Sequence, residues 1–210
     1  MEDLPKLLRT LREDLRTVVE RDPSVHTKLE ALLHPALPAV WTHRLAHRLH
    51  RRGWRVLARL AMTMARAVTG VEIHPGAVLG RRVFVDHGAS VVIGETAVVG
   101  DDVTIYPQVT LGAVGWRRDN LRTEGERRHP KIGAGVLLGT NATVLGPVEI
   151  GEGAVIGAQA LVVDDVPAFA RVLAPVAGPH RRGRAAERRG EPGQPHAVEL
   201  LRHNASAGSW

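Results

Sequence analysis

An N-terminal α-helical region leading into a left-handed parallel β-helix, an α+β fold, is predicted by three observations. Apolar residues recur at helical spacing up to about residue 70, and small aliphatic residues recur at every sixth position from residue 71. Aromatic residues make up 3% of the 210 positions, so a core must be filled by short aliphatic side chains in closely spaced layers, as a regular repeat packs.

Residues 4–20 carry Leu4, Leu7, Leu8, Leu11, Leu15, Val18 and Val19 on one helical face and charged residues on the other. This amphipathic helix stops at Arg21-Asp22-Pro23. Pro23 suits the first turn of a following helix over Ser24 to Leu33, and Asp22 stands where its N-cap is expected. A third helix starts near Leu37 after His34-Pro35. It carries His43, His47 and His50 on one face, where no acidic ligand joins them, so they are expected at the surface or at a subunit contact. Gly53 interrupts, and Trp54 to Val68 forms a fourth helix with Val56, Leu57, Leu60, Ala61 and Met64 as its expected buried stripe, closed by Thr69-Gly70.

From Val71 the period changes to six. Ile73, Leu79, Val85 and Val91 are followed, after a two-residue shift, by Ile93, Val99, Ile105 and Leu111, and the register resumes at Ile132, Leu138, Val144, Ile150, Ile156 and Val162. A small residue follows four positions on, among them Ala77, Ala89, Ala97, Ala142, Ala154 and Ala160. Each hexapeptide supplies one short strand and a turn, and three close a triangular coil. The polar run 112–130, with Trp116 its one large apolar residue, must leave the coil as a long loop. The predicted organisation is therefore a helical region 1–70, a β-helix 71–175 with an inserted loop 112–130, and a flexible basic tail 176–210.

There are no cysteines, which excludes a disulfide framework, a thiolate metal site and a cysteine nucleophile. No apolar run has the length of a signal peptide core or a membrane span, so a soluble, cytoplasmic protein without a membrane partner is expected. The net charge of +6 comes largely from arginine clusters on a helix, a loop and the tail. Without a recognition helix or stacking aromatics these do not make a nucleic-acid surface, and an anionic small ligand is the better partner.

Aliphatic side chains fill such a prism, so a site must form on its outside. The polar residues that interrupt the pattern are Glu72, His74, Asp86, His87, Glu95, Arg128 and His129. Glu72 precedes His87 by fifteen residues. At about eighteen residues per coil they are out of phase by three, roughly one face apart, so contact does not follow from the sequence. A carboxylate reaching the imidazole would make His87 a general base; otherwise it is a surface histidine in a turn. A zinc site from His74, His87 and His129 is not expected, because the histidines lack the short paired spacing of a β-helical zinc enzyme.

The chain resembles the serine O-acetyltransferases. The motifs are R-D-P at Arg21–Pro23, T-G-V-E-I-H-P-G-A at Thr69–Ala77, V-D-H-G at Val85–Gly88, V-I-G-E-T-A at Val92–Ala97, V-T-L-G at Val109–Gly112, R-H-P-K-I-G at Arg128–Gly133 and V-L-G-P at Val144–Pro147. The resemblance spans residues 20–170. It implies direct transfer of acetyl from acetyl-CoA to the hydroxyl of L-serine, the step toward cysteine, with no metal. His87 matches the general base and Glu72 its partner carboxylate. Asp22 and Asp86 match the carboxylates that hold the serine amino group, which displaces the N-cap role of Asp22, while Arg128 and His129 match the residues that hold the carboxylate. Gly112, Ala113, Gly115 and Thr140 fall where acetyl-CoA is held. Gly112-Ala113-Val114-Gly115 and Gly139-Thr140-Asn141 depart from the family pattern at this acyl end, which keeps open an alternative O-acyltransferase using another acyl-CoA or a serine-like acceptor. The resemblance further implies a homotrimer, with a dimer of trimers as the family's larger assembly. The chain ends Gly208-Ser209-Trp210 rather than in isoleucine, so the family's tail-mediated complex with the cysteine-forming enzyme is not expected.

Overall fold

In the computed structural model, residues 3–115, 117, 121, 123 and 125–175 are described, with side chains from residue 5 onward; Trp116 and the tail 176–210 lie outside them. Four helices come first: α1 (Asp3–Arg21), α2 (Lys28–Leu32), α3 (Leu37–Arg51) and α4 (Arg55–Thr69). Gly70, at φ 71°, closes α4 in the left-handed region that glycine tolerates best and turns the chain into the coil.

Among the described residues, fourteen short parallel strands then form three faces. Face A stacks β1 (Glu72–Ile73), β4 (Val92–Ile93), β7 (Thr110–Gly112), β10 (Thr143–Leu145) and β13 (Leu161–Val162). Face B stacks β2 (Val78–Leu79), β5 (Val98–Val99), β8 (Lys131–Ile132) and β11 (Glu149–Ile150). Face C stacks β3 (Phe84–Val85), β6 (Thr104–Ile105), β9 (Leu137–Leu138), β12 (Val155–Ile156) and β14 (Arg171–Val172). The sixfold pattern becomes vertical columns of aliphatic side chains. Ile73, Ile93, Leu111, Val144 and Val162 run up face A in register, and every one is buried. A loop between β7 and β8 separates Leu111 from Val144, yet the two still pair, so the loop leaves and re-enters the coil without disturbing it.

The two-residue shift read from the sequence falls in the first coil. Ile73 pairs with Ile93, twenty residues on, whereas Ile93 pairs with Leu111, eighteen on. The two additional residues lie in the corner after β3. As a result Val91, fully buried, takes the small-residue place two before Ile93, and Ala89, assigned there from the sequence, is exposed.

A parallel coil leaves its first turn with unpaired carbonyls on the lower edge, and buried unpaired carbonyls are costly. Side chains of α3 supply the missing donors. Arg44 donates to Leu79 O and Gly80 O, both at 2.7 Å, and is held by Asp14 of α1 at 3.1 and 3.2 Å. His43 Nε2 meets Ala77 O at 3.1 Å and His47 Nδ1 meets Pro75 O at 2.9 Å. The surface role expected for His43 is therefore wrong: it is fully buried, and burial pushes its pKa down to about 3.

Two further helical expectations change. The second helix begins at Lys28, not Ser24, because Thr27 and Glu30 form a reciprocal capping box. Asp22 is thus no N-cap; its Oδ1 accepts from Ser24 N and Oγ in a turn. On α4 the buried residues are Ala58, Met62 and Ala65, and the helix packs against α3 and β1. The stripe expected to be buried is turned outward: Val56, Leu57, Leu60 and Met64 are exposed, and Ala61 is half-buried.

Candidate active site at the two edges of face A

Face A is bounded by two vertical corners, and the candidate residues divide between them. At the edge where face C turns into face A, the enlarged first-coil corner holds Asp86, His87 and Gly88. His87 adopts φ 53° and Gly88 φ 75°. A Cβ on Gly88 would lie 2.6 Å from Val71 Cγ2 and 2.8 Å from Ala36 Cβ, so only glycine lets this corner settle on the start of α3. The settling brings His87 toward the Arg21-Asp22-Pro23 turn, itself tied to the coil by Arg21, which donates to Asp102 O at 3.0 Å and pairs with the Asp102 carboxylate at 2.8 Å.

The His87 side chain is 73% exposed, with Nε2 3.8 Å from Asp86 Oδ1. Asp22 and Asp86 both lie within electrostatic range of a third, buried imidazole, His34, whose Nε2 stands 3.9 Å from Asp22 Oδ2. The hydrogen bonds from Ser24 hold the Asp22 carboxyl below its ordinary value. Reasoning from the sequence assigned no role to His34; its one signal was a polar residue beside Pro35 at a helix junction.

The opposite edge, where face A turns into face B, is more fully bonded. Thr96 Oγ1 accepts from Arg128 N at 2.9 Å and His129 N at 3.1 Å, so the returning loop is pinned to the coil below it. His129, 7% exposed, receives the Thr96 N–H on Nδ1 at 3.1 Å, which leaves the imidazole proton on Nε2. A Cβ on Gly94 would fall 2.0 Å from the His129 ring, so this glycine makes the slot in which the ring lies. Arg128 pairs with Glu95 at 2.6 Å. Gly94 and Thr96 lie in the V-I-G-E-T-A motif, but neither was assigned a role of its own from the sequence.

His74 lies on this second edge, where its Nδ1 accepts from Gly76 N at 3.0 Å and its Nε2 faces Arg59 at 2.9 Å. Burial pushes its pKa down to about 4. His74 and His129 are thus on the edge opposite His87, and the three imidazoles do not converge within the chain.

Glu72 does not meet His87 in the chain. It begins β1 beneath Val92 and pairs with Arg66 of α4 at 2.8 Å. The residues expected to hold the acyl donor also divide. Gly112, Ala113 and Gly115 rise above Glu95, with Gly112 O accepting from Gly146 N at 3.0 Å. Thr140 belongs to the His87 edge, in a corner stack linked by Gln108 N to Ala89 O, Asn141 N to Pro107 O and Gln159 N to Thr140 O.

The comparisons with known proteins concern the family and the fold. Residues 129–164 match the bacterial transferase hexapeptide family (six repeats). A serine acetyltransferase of Mycobacterium tuberculosis is 53% identical over 168 residues, which is 80% of this chain and 70% of that protein. The chain belongs to the serine acetyltransferase family. Among solved structures, the Neisseria gonorrhoeae serine acetyltransferase in complex with serine superposes with a TM-score of 0.74 at 38% identity, over 85% of this chain and 70% of that one. The Brucella abortus serine acetyltransferase in complex with coenzyme A gives a TM-score of 0.75 at 36% identity, over 84% of this chain and 68% of that one. With these relatives the fold is a left-handed β-helix preceded by helices, as the sequence implied.

Proposed function

We propose that the protein is an acetyl-CoA:L-serine O-acetyltransferase whose sites are each completed by two copies of the chain, one giving its His87 edge and the next its Arg128 edge. The observation that carries this reading is the division of the matched residues between the two edges of face A. From Gly88 to Gly94 an extended chain spans up to about 20 Å, too far for one amino acid to touch both. A closed threefold ring with face A toward the axis brings unlike edges of neighbouring copies together. The outward apolar stripe of α4 supports that ring, since Val56, Leu60, Met64 and Val68 are each more than half exposed in the isolated chain.

In such a site the zwitterionic acceptor lies between opposite charges. Asp22 and Asp86 take its ammonium group, and Arg128 and His129 take its carboxylate, through the arginine fork and the His129 Nε2–H. Its hydroxyl then points to His87. The imidazole removes the hydroxyl proton as the oxygen attacks the thioester carbonyl. The tetrahedral intermediate collapses, the C–S bond breaks, and the imidazolium returns the proton to the departing thiolate. No acyl-enzyme is needed, because holding both substrates side by side supplies the proximity. Gly112, Ala113 and Gly115 of one copy and Thr140 of its neighbour border the acyl-donor groove. Glu72 is the carboxylate assigned to orient the His87 imidazole, and to act it must exchange Arg66 for His87. The Glu72–Arg66 pair is exposed and worth at most about 1 kcal/mol, so the exchange is cheap. We place the activity in the cytosol.

The test combines two inactive variants, His87→Ala and Arg128→Ala, refolded together. Random trimers regain roughly a quarter of wild-type turnover in acetyl-CoA thiol release with serine if each site takes one edge from each of two copies. No recovery would place each site within one chain. Homoserine and succinyl-CoA in the same assay decide the acceptor and the acyl group.

A further inference from the structure

The His87 edge contains a buried polar group that the proposed mechanism leaves unused. His34 lies between α2 and α3, its side chain 3% exposed, with its ring tilted 44° against Phe84 at a centroid distance of 5.7 Å. An apolar residue would fill that slot without polar groups to satisfy, whereas an imidazole brings two. Both are committed. Nδ1 accepts the N–H of Ala36 at 3.3 Å, so the single proton of the ring resides on Nε2, the atom that stands 3.9 Å from Asp22 Oδ2.

Asp22 is the second half of the observation. Its Oδ1 is used twice by Ser24, at 2.9 Å to the backbone N–H and 2.6 Å to the hydroxyl. Oδ2 therefore remains for the acceptor, and His34 is the group beside it. The charged and titratable groups around His34 are Asp22 from the turn after α1 and Asp86 and His87 from the first-coil corner.

We propose that His34 is a positioning residue for acceptor binding: its Nε2–H steadies Asp22 Oδ2, so that the carboxylate keeps one orientation toward the ammonium group of a hydroxy amino acid. The role rests on the proposed function, in which Asp22 receives that ammonium. It acts through Asp22 and touches neither the hydroxyl nor the thioester, so it governs acceptor affinity and not the chemical step. Burial favours the uncharged ring, which donates from Nε2 without competing with the ammonium for the carboxylate charge.

The experiment compares His34→Phe, which keeps a ring against Phe84, with His34→Gln, whose amide nitrogen can stand in for Nε2–H. In His34→Phe the KM for serine should rise about tenfold while kcat and the KM for acetyl-CoA stay within twofold. His34→Gln should recover most of that loss. In an Asp22→Asn background His34→Phe should add nothing, because the residue it acts through is already altered. An unchanged serine KM in a folded His34→Phe trimer, or a loss that adds fully to that of Asp22→Asn, overturns the proposal. If His34→Phe does not fold, His34→Leu against His34→Gln asks the same question. Should the wild type not turn over serine with any acyl-CoA, the functional reading fails separately, and calorimetric serine binding by the same variants decides the role of His34 alone.

Discussion

The two edges of face A use the same repeat in opposite ways. At the Arg128 edge nearly every polar group has a partner within the chain: His129 lies in the slot left by Gly94, Thr96 holds two backbone donors, and Arg128 is paired with Glu95. At the His87 edge the corner is two residues longer, and its imidazole projects into solvent. One edge is preorganised within the chain, and the other is presented for something to close over it. In the shared site proposed above, the half assigned to hold the acceptor carboxylate would be rigid, while the half assigned to take the proton would wait for substrate and neighbour.

The largest expected effect falls on the open edge. His87→Ala should lower kcat by roughly 10²–10⁴ while leaving the melting temperature near wild type, because the side chain bears no packing load. Undiminished turnover would remove the general base from the reading. On the closed edge, Gly94→Ala drives a methyl into the His129 ring and should cost roughly 1–3 kcal/mol of stability together with a raised serine KM. Wild-type melting and kinetics in that variant would mean the slot is not needed. Arg128→Lys keeps the charge but loses the fork, and a serine KM about tenfold higher at similar kcat is expected. Equal affinity would show that a point charge suffices.

The effect furthest from the chemistry concerns the floor beneath the closed edge. His43, under Ala77, has a folded-state pKa of about 3 against an ordinary 6.5, so between those values the unfolded chain binds the extra proton. Stability from this group is fully present above pH 6.5 and is lost as pH falls toward 3, with a slope of up to about 1.4 kcal/mol per pH unit. Urea unfolding at pH 7.5, 6 and 5 should show the decline beginning near pH 6.5, and a shallower decline for His43→Gln, in which the other histidines depressed by burial, His34, His47 and His74, still contribute. A profile that is equally steep in both proteins would assign the acid sensitivity elsewhere.

Much of this was legible in the chain itself. The columns Ile73–Ile93–Leu111–Val144–Val162 follow from period six, and the loop was visible as the place where the period lapses. Asp22, Asp86, His87, Arg128 and His129 were assigned to the site through their motifs. The outward turn of α4 was not legible, because a helix has one apolar stripe in the sequence whether its partner is its own coil or another copy. Burial of His43 was likewise hidden, since the carbonyl that requires it belongs to a coil 34 positions away.

By itself, then, the sequence determined the repeat, its interruption and the kinds of side chain at each corner, because these depend on local period and backbone preference. Only the tertiary structure decided which side chains meet. Glu72 pairs with Arg66 and not with His87, His34 stands 3.9 Å from Asp22, and the residues matched to the family stand on two edges. Contacts across coils depend on the accumulated length of chain around the prism, and no periodic pattern carries that sum.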